Sequence, residues 1–265
     1  MKIFSKIIFF FLLASFWFVS SSSNSGNNND IVLLKKLNAK VLGNTNEFIF
    51  TYNGAKWNTI SYFKFDGTTE NGYFKVEYTR DLITSILEYN KSAVLLSKTK
   101  FNYNESILKE VIKEDSFNKR IEKILFTYTN QTVEAKTYIT TNSVSNKLIS
   151  TELMIFANNK LVQKEYKTPN NFNNNTTTFE HDNFNHPLKN VTGITEIYAY
   201  MNCYNSMFSS FGIEGNSNNR IGLKLQGTNG YQLNFITEYT NNNFPKSKVN
   251  TANSPGNYEF QYSYY

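Results

Sequence analysis

The chain has 265 residues, 40% of them hydrophobic, enough for one or two domains with a core, which excludes a disordered protein. Its formal charge is +6, yet the lysines are interleaved with glutamates (Lys109, Glu110, Lys113, Glu114), so no basic stripe marks a nucleic-acid partner. A single cysteine, Cys203, excludes an internal disulfide and leaves stability to packing.

Residues 1–22 read as a secretory signal peptide: Lys2 and Lys6 give the positive start, Ile7 to Val19 the apolar run, and Ser20 to Ser23 the small residues. The run is shorter than the roughly 20 apolar residues a spanning helix needs, so no stable membrane span is expected after its removal. Loss of the two lysines takes the charge from +6 to +4. Residues 23–30 are Ser, Asn, Gly and Asp with no apolar residue to bury, and read as a flexible tether.

Ile31 to Leu42 supplies a first strand. A repeat then begins. Aromatic residues closing short alternating strands recur at Tyr52, Tyr78, Tyr103, Tyr128 and Phe156, with gaps of 26, 25, 25 and 28 residues. The apolar positions are two apart (Phe48, Phe50, Tyr52; Phe74, Val76, Tyr78; Thr99, Phe101, Tyr103; Ile124, Phe126, Tyr128), the period of a half-buried strand. About 25 residues hold one β-hairpin and its connections, so residues 31–168 read as a hairpin array. The 23 Phe and 18 Tyr, against 12 Gly and 4 Pro, suit pleated, half-buried surfaces. Asn53-Gly54 is the strongest turn signal, and Asp66-Gly67 a second. At the equivalent places Arg80-Asp81, Asn104-Glu105, Asn130-Gln131 and Asn158-Asn159 lack glycine, which predicts longer or bulged turns. The return strands are Ile60 to Phe65, Leu82 to Tyr89, Ile107 to Ile112, Thr132 to Ile139 and Leu161 to Tyr166; a helix over Ile107 to Ile124 is the alternative for one of them.

Pro169 to Thr178 is a polar, Asn-rich break, and Phe179 to Gly193 follows as a structured turn. Ile194, Ile197, Met201, Tyr204, Phe208 and Phe211 recur at steps of three and four, which predicts an amphipathic helix capped by Gly212 and packed on the sheet. Strand character returns at Ile221 to Leu225 and Tyr231 to Tyr239, with a turn at Thr240 to Phe244 and Pro245 to Val249 beyond it. The chain closes on Tyr258, Phe260, Tyr262 and Tyr264 alternating with polar residues, which places this end of the chain inside the sheet.

Three features together carry a resemblance: the Phe-x-Tyr-x-turn-x-Leu hairpins, the segment FEHDNFNHPLKNVTG at Phe179 to Gly193, and EYTNNNFPKSK at Glu238 to Lys248 followed by YEFQYSYY. They resemble a family of uncharacterised envelope lipoproteins of Bacteroidetes-type bacteria, particularly flavobacteria, with hairpins similar to the tyrosine–aspartate repeats of RHS-type shells. The resemblance implies an antiparallel β-meander, an exported chain and a lipid-modified cysteine after the signal. Here Ser20 to Ser23 stand where that cysteine belongs, so the chain departs from the family at its anchor. The family carries no established activity, and no catalytic residue is transferred.

Few residues offer chemistry. His181, Asp182 and His186, with Glu180 beside them, have metal-ligand types, but the two histidines are five apart on a Pro/Asn-rich stretch with no third ligand at a familiar spacing. Cys203 reads as a small buried hydrophobe rather than a nucleophile. Trp57, after the best turn, offers a ring that could stack on a sugar, against an ordinary packing partner. The expectation is a mainly β protein: ten to fourteen strands in a curled antiparallel meander over 31–265, with one helix on its concave side. The function expected is that of a non-catalytic exported envelope protein, without cofactor, presenting a sheet face or edge to a protein or glycan partner. The alternatives are a self-associating surface protein and a metal-dependent hydrolase using His181 and His186.

Overall fold

The computed structural model describes residues 31–42, 44–64, 70–171, 174–204, 206–208, 213–226, 230–251 and 256–265. The segment read as signal and tether, the Asp66-Gly67 turn, and Phe211 and Gly212 lie outside them. The first strand, β1, is Leu34–Val41. Five tight hairpins follow: β2 (Asn44–Asn53) with β3 (Lys56–Lys64), β4 (Glu70–Thr79) with β5 (Leu82–Asn90), β6 (Leu95–Asn104) with β7 (Ile107–Asp115), β8 (Arg120–Thr129) with β9 (Thr132–Thr140), and β10 (Lys147–Ala157) with β11 (Lys160–Lys167). Then come β12 (Asn175–Asn185), β13 (Asn218–Gln226), β14 (Tyr231–Tyr239), β15 (Pro245–Asn250) and β16 (Tyr258–Tyr264). From β1 to β16 each strand pairs antiparallel with the next in sequence, so the meander is as expected.

The curled sheet is not. β16 pairs with β15 on one side and with β1 on the other, Leu34 facing Tyr264, Leu37 facing Tyr262 and Ala39 facing Phe260, so sixteen strands close into a barrel. An open sheet would leave two rows of unpaired N–H and C=O groups; closure satisfies both. The expected docking edge is therefore absent among the described strands, and only faces remain.

Two further expectations are corrected. Asn175–Asn185 is a strand, where the sequence reads as a polar break and a turn; Thr176 to Thr178 supply β-branched residues, and Phe179 faces Leu223 across the pair with β13. The expected long helix shrinks to a 3-10 turn, Thr195–Ile197, and one α turn, α1 (Tyr198–Met201). It lies inside the barrel among buried side chains rather than on an open concave face. Packing on all sides, not a single stripe, stabilises such a short piece. The residues of the alternative helix belong to β7 and β8.

The hairpin turns stay tight without glycine. Gly54, Arg80, Glu105, Asn130 and Asn158 all have positive φ, between 48° and 61°, each at the first residue of a two-residue loop. Bulges do occur, but inside the return strand: Asn58, Thr84, Lys109 and Val162 are each passed over in the pairing. A bulge leaves backbone groups without ladder partners. The repeat tyrosines satisfy them from the next hairpin. Trp57 N–H, just before bulge residue Asn58, donates to Tyr78 Oη at 3.0 Å; Tyr103 Oη donates to the carbonyl of Ile83, just before Thr84, at 2.8 Å. Lys109 itself lies over the Tyr128 ring, 5.3 Å from its centroid.

The inward face is the apolar one. Phe48, Phe50, Ile60, Phe74, Val76, Phe101, Ile124 and Phe126 are buried. The outward positions are mixed: Lys75 and Glu77 on β4, Lys98 and Lys100 on β6, Glu110 on β7, Lys123 on β8, Glu134 and Lys136 on β9, with apolar Ile49 on β2, Ile121 and Leu125 on β8 and Ile236 on β14 among them.

Candidate functional site

A barrel of sixteen strands is wide enough for an aqueous channel. Here described residues of the connection between β12 and β13 (186–204, 206–208 and 213–217), which leaves the wall at the end that carries the tight turns, occupy it. At that turn end Thr192 N–H donates to Ala55 O at 2.9 Å, Asn190 Nδ2 donates to Val32 O at 2.9 Å, and Leu188, Val191 and Ile194 are buried. Gly193, at φ +79°, lies so close to β5 that a Cβ would sit 2.6 Å from Asp81 O. Deeper in, a chain of rings joins wall to plug: Phe50–Trp57 at 6.2 Å, Trp57–Phe208 at 5.9 Å, Phe208–Tyr200 at 6.2 Å and Tyr200–Phe101 at 5.2 Å. Trp57 is thus a core residue at 2% exposure, out of reach of any sugar.

Cys203 is buried too, its thiol donating to Ala199 O at 3.4 Å, with burial raising its pKa far above the ordinary value. A nucleophile needs the reverse. Beside it Tyr204 N–H donates to both oxygens of Glu152, at 3.0 and 3.1 Å, and Lys164 pairs with the same carboxylate at 3.3 Å. Lys164 also donates to Asn202 O at 2.9 Å, so this buried carboxylate, 1% exposed, rivets the plug to β10 and β11.

The two histidines come together with groups the sequence does not single out. His181, His186, Glu214, Arg220 and Lys248 form an electrostatically coupled cluster inside the wall of β12 to β16. Arg220 pairs with Glu214 at 2.6 Å. Lys248 is buried between two rings, 4.5 Å from the Phe235 centroid and 5.2 Å from Phe260. Burial, then the nearby Arg220 charge, lowers its pKa to about 8, against opposing pulls from Glu214 and Asp182. Burial lowers His186 to about 3, helped by Lys248, and His181 to about 4, so both imidazoles are neutral at pH 7. His186 Nδ1 accepts the Leu188 N–H at 3.3 Å. Asp182 accepts from the Tyr239 hydroxyl, from Phe184 N–H at 2.9 Å and from Asn219 N–H at 3.2 Å. Glu180 falls on the outward parity, opposite Gly222. Among the described residues no three His, Cys, Asp or Glu side chains gather as a metal-ligating group. The cluster clamps the returning arm of the plug to the wall.

The end of the barrel opposite the tight turns is different. A cavity of about 270 Å³ is lined there by Lys113, Asp115, Arg120 and Glu122. All four occupy the inward parity, Lys113 facing Glu122 and Asp115 facing Arg120. Arg120 donates to Glu122 at 3.0 Å, and burial raises the Glu122 pKa. Asp115 accepts from Phe117 and Asn118 N–H, both at 2.9 Å, which builds the β7–β8 turn. Three strands along, Tyr204 is 65% exposed and leans on Tyr166 at 5.3 Å between centroids. The signal for these residues was present in the sequence: charges on the inward parity of β7 and β8, in register with Val111 and Ile124.

No protein-family model matches the sequence, and no curated protein does. Solved structures do match. One is the crystal structure of a porin-like protein from Bacteroides vulgatus ATCC 8482, with a TM-score of 0.57, 11% identity, and 88% of this chain and 99% of that one covered. Another is a porin-like protein from Bacteroides uniformis ATCC 8492, with a TM-score of 0.56, 12% identity, and 88% and 96% covered. The chain shares their fold. At such identity the likeness extends to architecture alone.

The outward face departs from what a lipid-embedded barrel requires. Such barrels carry an apolar band outside and polar groups inside. This chain sets lysines and glutamates among apolar side chains such as Leu125 and Ile236 on its outer face, and holds inside both an apolar core and the charged groups Glu122, Glu152, Lys164 and Lys248. A lysine at the bilayer midplane costs about 2–4 kcal/mol and one near the interface about 0–1 kcal/mol, so outward lysines such as Lys75, Lys100, Lys123 and Lys136 weigh against a lipid-facing wall. In water the same lysines cost nothing, and pairs such as Lys100 with Glu114, at 2.7 Å, form on the surface.

Proposed function

We propose that the chain is a non-catalytic, exported envelope protein that works as a water-bathed, plugged barrel and presents its surface to a protein or glycan partner. The observation that carries this reading is the charge on the outward face of β4 and β6 to β9, around a lumen occupied by the described residues between β12 and β13. Export is supported by the leader-like residues 1–22, and an envelope setting by the likeness to porin-like proteins of two Bacteroides species. The lipoprotein and tyrosine–aspartate-repeat affinities of the sequence belong to the same reading, with Ser20 to Ser23 in place of a lipidated cysteine. Conduction is not part of it, because the plug occupies the channel.

Residues 23–265, produced without detergent, test it. The expected protein is folded, does not float with phospholipid vesicles, and gives no conductance steps in a planar bilayer. It also retains a glycan or a protein from an envelope extract on an immobilised column, in amounts saturable by free protein. Flotation or stepwise conductance overturns the water-bathed barrel; an empty column overturns the binding role.

A further inference from the structure

The barrel's two ends are built for different tasks. The turn end is closed by apolar plug residues and backbone hydrogen bonds. The opposite end holds the cavity of about 270 Å³ with Lys113, Asp115, Arg120 and Glu122, a little below the roughly 300 Å³ at which small-molecule pockets begin. Its lining carries two cationic and two anionic side chains, so it has donors and acceptors but no net charge. Below Glu122, at the next inward position along β9, Thr137 Oγ1 is buried without a hydrogen-bond partner. An unsatisfied buried hydroxyl is costly, and Thr137 lies beneath the cavity rather than in its lining. Three strands on, at about 4.8 Å per strand, so about 14 Å along the wall, is Tyr166 of β11, and against it stands the solvent-exposed Tyr204. Its backbone is fixed by the buried Glu152–Lys164 pair, so the ring is held in place while its face meets water.

From this arrangement we infer that the cavity end of the barrel is a binding cup for a neutral oligosaccharide: hydroxyls on Arg120, Glu122 and Lys113, and a further sugar ring on Tyr204. Balanced charge disfavours a phosphate or an acidic peptide, which would meet Glu122 and Asp115 as well as the cations. A flat ring set 14 Å or so from a polar pocket suits a chain of sugars rather than a single one, and an aromatic face with a few placed polar groups is how such sites gain orientation. The cup specifies the glycan half of the function proposed above and rests on it.

Titration of residues 23–265 with neutral hexose and N-acetylhexosamine trisaccharides, with hexose 6-phosphate as the charged comparison, tests the inference by calorimetry. The expected result is saturable binding of at least one neutral trisaccharide, weakened tenfold or more in both Tyr204→Ala and Arg120→Gln, and unchanged in the outer-face variant Lys98→Ala. Both altered side chains are partly exposed, and circular dichroism checks that the barrel is intact. Three results overturn the cup: trisaccharide binding that survives both substitutions, preference for the phosphorylated sugar, or no sugar binding at all. In the first two the broader reading stands, with glycan held elsewhere. In the third it stands only if the envelope column still retains a protein.

Discussion

At the scale of single residues, the barrel carries its polar burdens inside. Lys248 releases its proton at about pH 8 in the folded chain but near 10.5 when unfolded, so between those values the unfolded chain holds more protons and stability rises with pH. The difference corresponds to roughly 3 kcal/mol of destabilisation, fully present below pH 8. His181 and His186 act in the same direction lower down: the unfolded imidazoles take protons near pH 6.5, the folded ones only at about 4 and 3, so stability falls as pH drops below 6.5. Above pH 10 the buried tyrosines, whose pKa values are raised by burial, reverse the trend. Urea unfolding at stepped pH should show both slopes, and Lys248→Met should remove the one between pH 8 and 10 while raising stability at pH 7. The repeat tyrosines make a second prediction. Tyr103→Phe strips the Ile83 carbonyl of its donor at the bulge, and should cost about 1–3 kcal/mol by the midpoint of unfolding.

At the scale of elements, turn geometry outlasts turn sequence. Arg80 and Glu105 hold positive φ at about 1–2 kcal/mol each, a strain that glycine escapes. Glu105→Gly should therefore stabilise the barrel by about 1 kcal/mol, and Gly54→Ala should destabilise it by a similar amount, both read from urea midpoints. This explains what was legible in the chain and what was not. The two-residue period and the spacing of Tyr52, Tyr78, Tyr103 and Tyr128 gave strands, faces and hairpin order, because pleat and burial write themselves into adjacent residues. The tight turns without glycine are not legible there, because the tyrosines that brace the bulges beside them, Tyr78 and Tyr103, lie on the next hairpin. The helix over 194–211 was overextended for a related reason. Apolar residues at steps of three and four fit a helical stripe, and they equally fit an irregular plug surrounded by wall on every side. Of the candidate sites, His181 and His186 were visible as residue types. Their partners Lys248, Arg220 and Glu214 come from separate strands and the plug, so no local pattern links them.

At the scale of the whole molecule, polarity rather than strand number decides where the barrel is at home. Lysines such as Lys75, Lys100 and Lys136 stand on the outward side of the sixteen-strand closure, where a lipid-facing barrel carries an apolar band, and on them rests the proposal of a water-bathed barrel. The seam between β1 and β16 sets a further expectation. Amides of Leu37 and Ala39 should exchange with solvent as slowly as those of Val76 or Phe101, since neither lies on a lateral strand; markedly faster exchange along β1 would mean that the seam gapes. The same seam governs assembly. Leu34 waits for Tyr264, 230 positions later, before its outer backbone groups find their partners. Contacts of such separation are the slowest to form. Folding therefore cannot finish on a partly synthesised or partly translocated chain, and the last ribbon to arrive acts as the keystone that locks the circle.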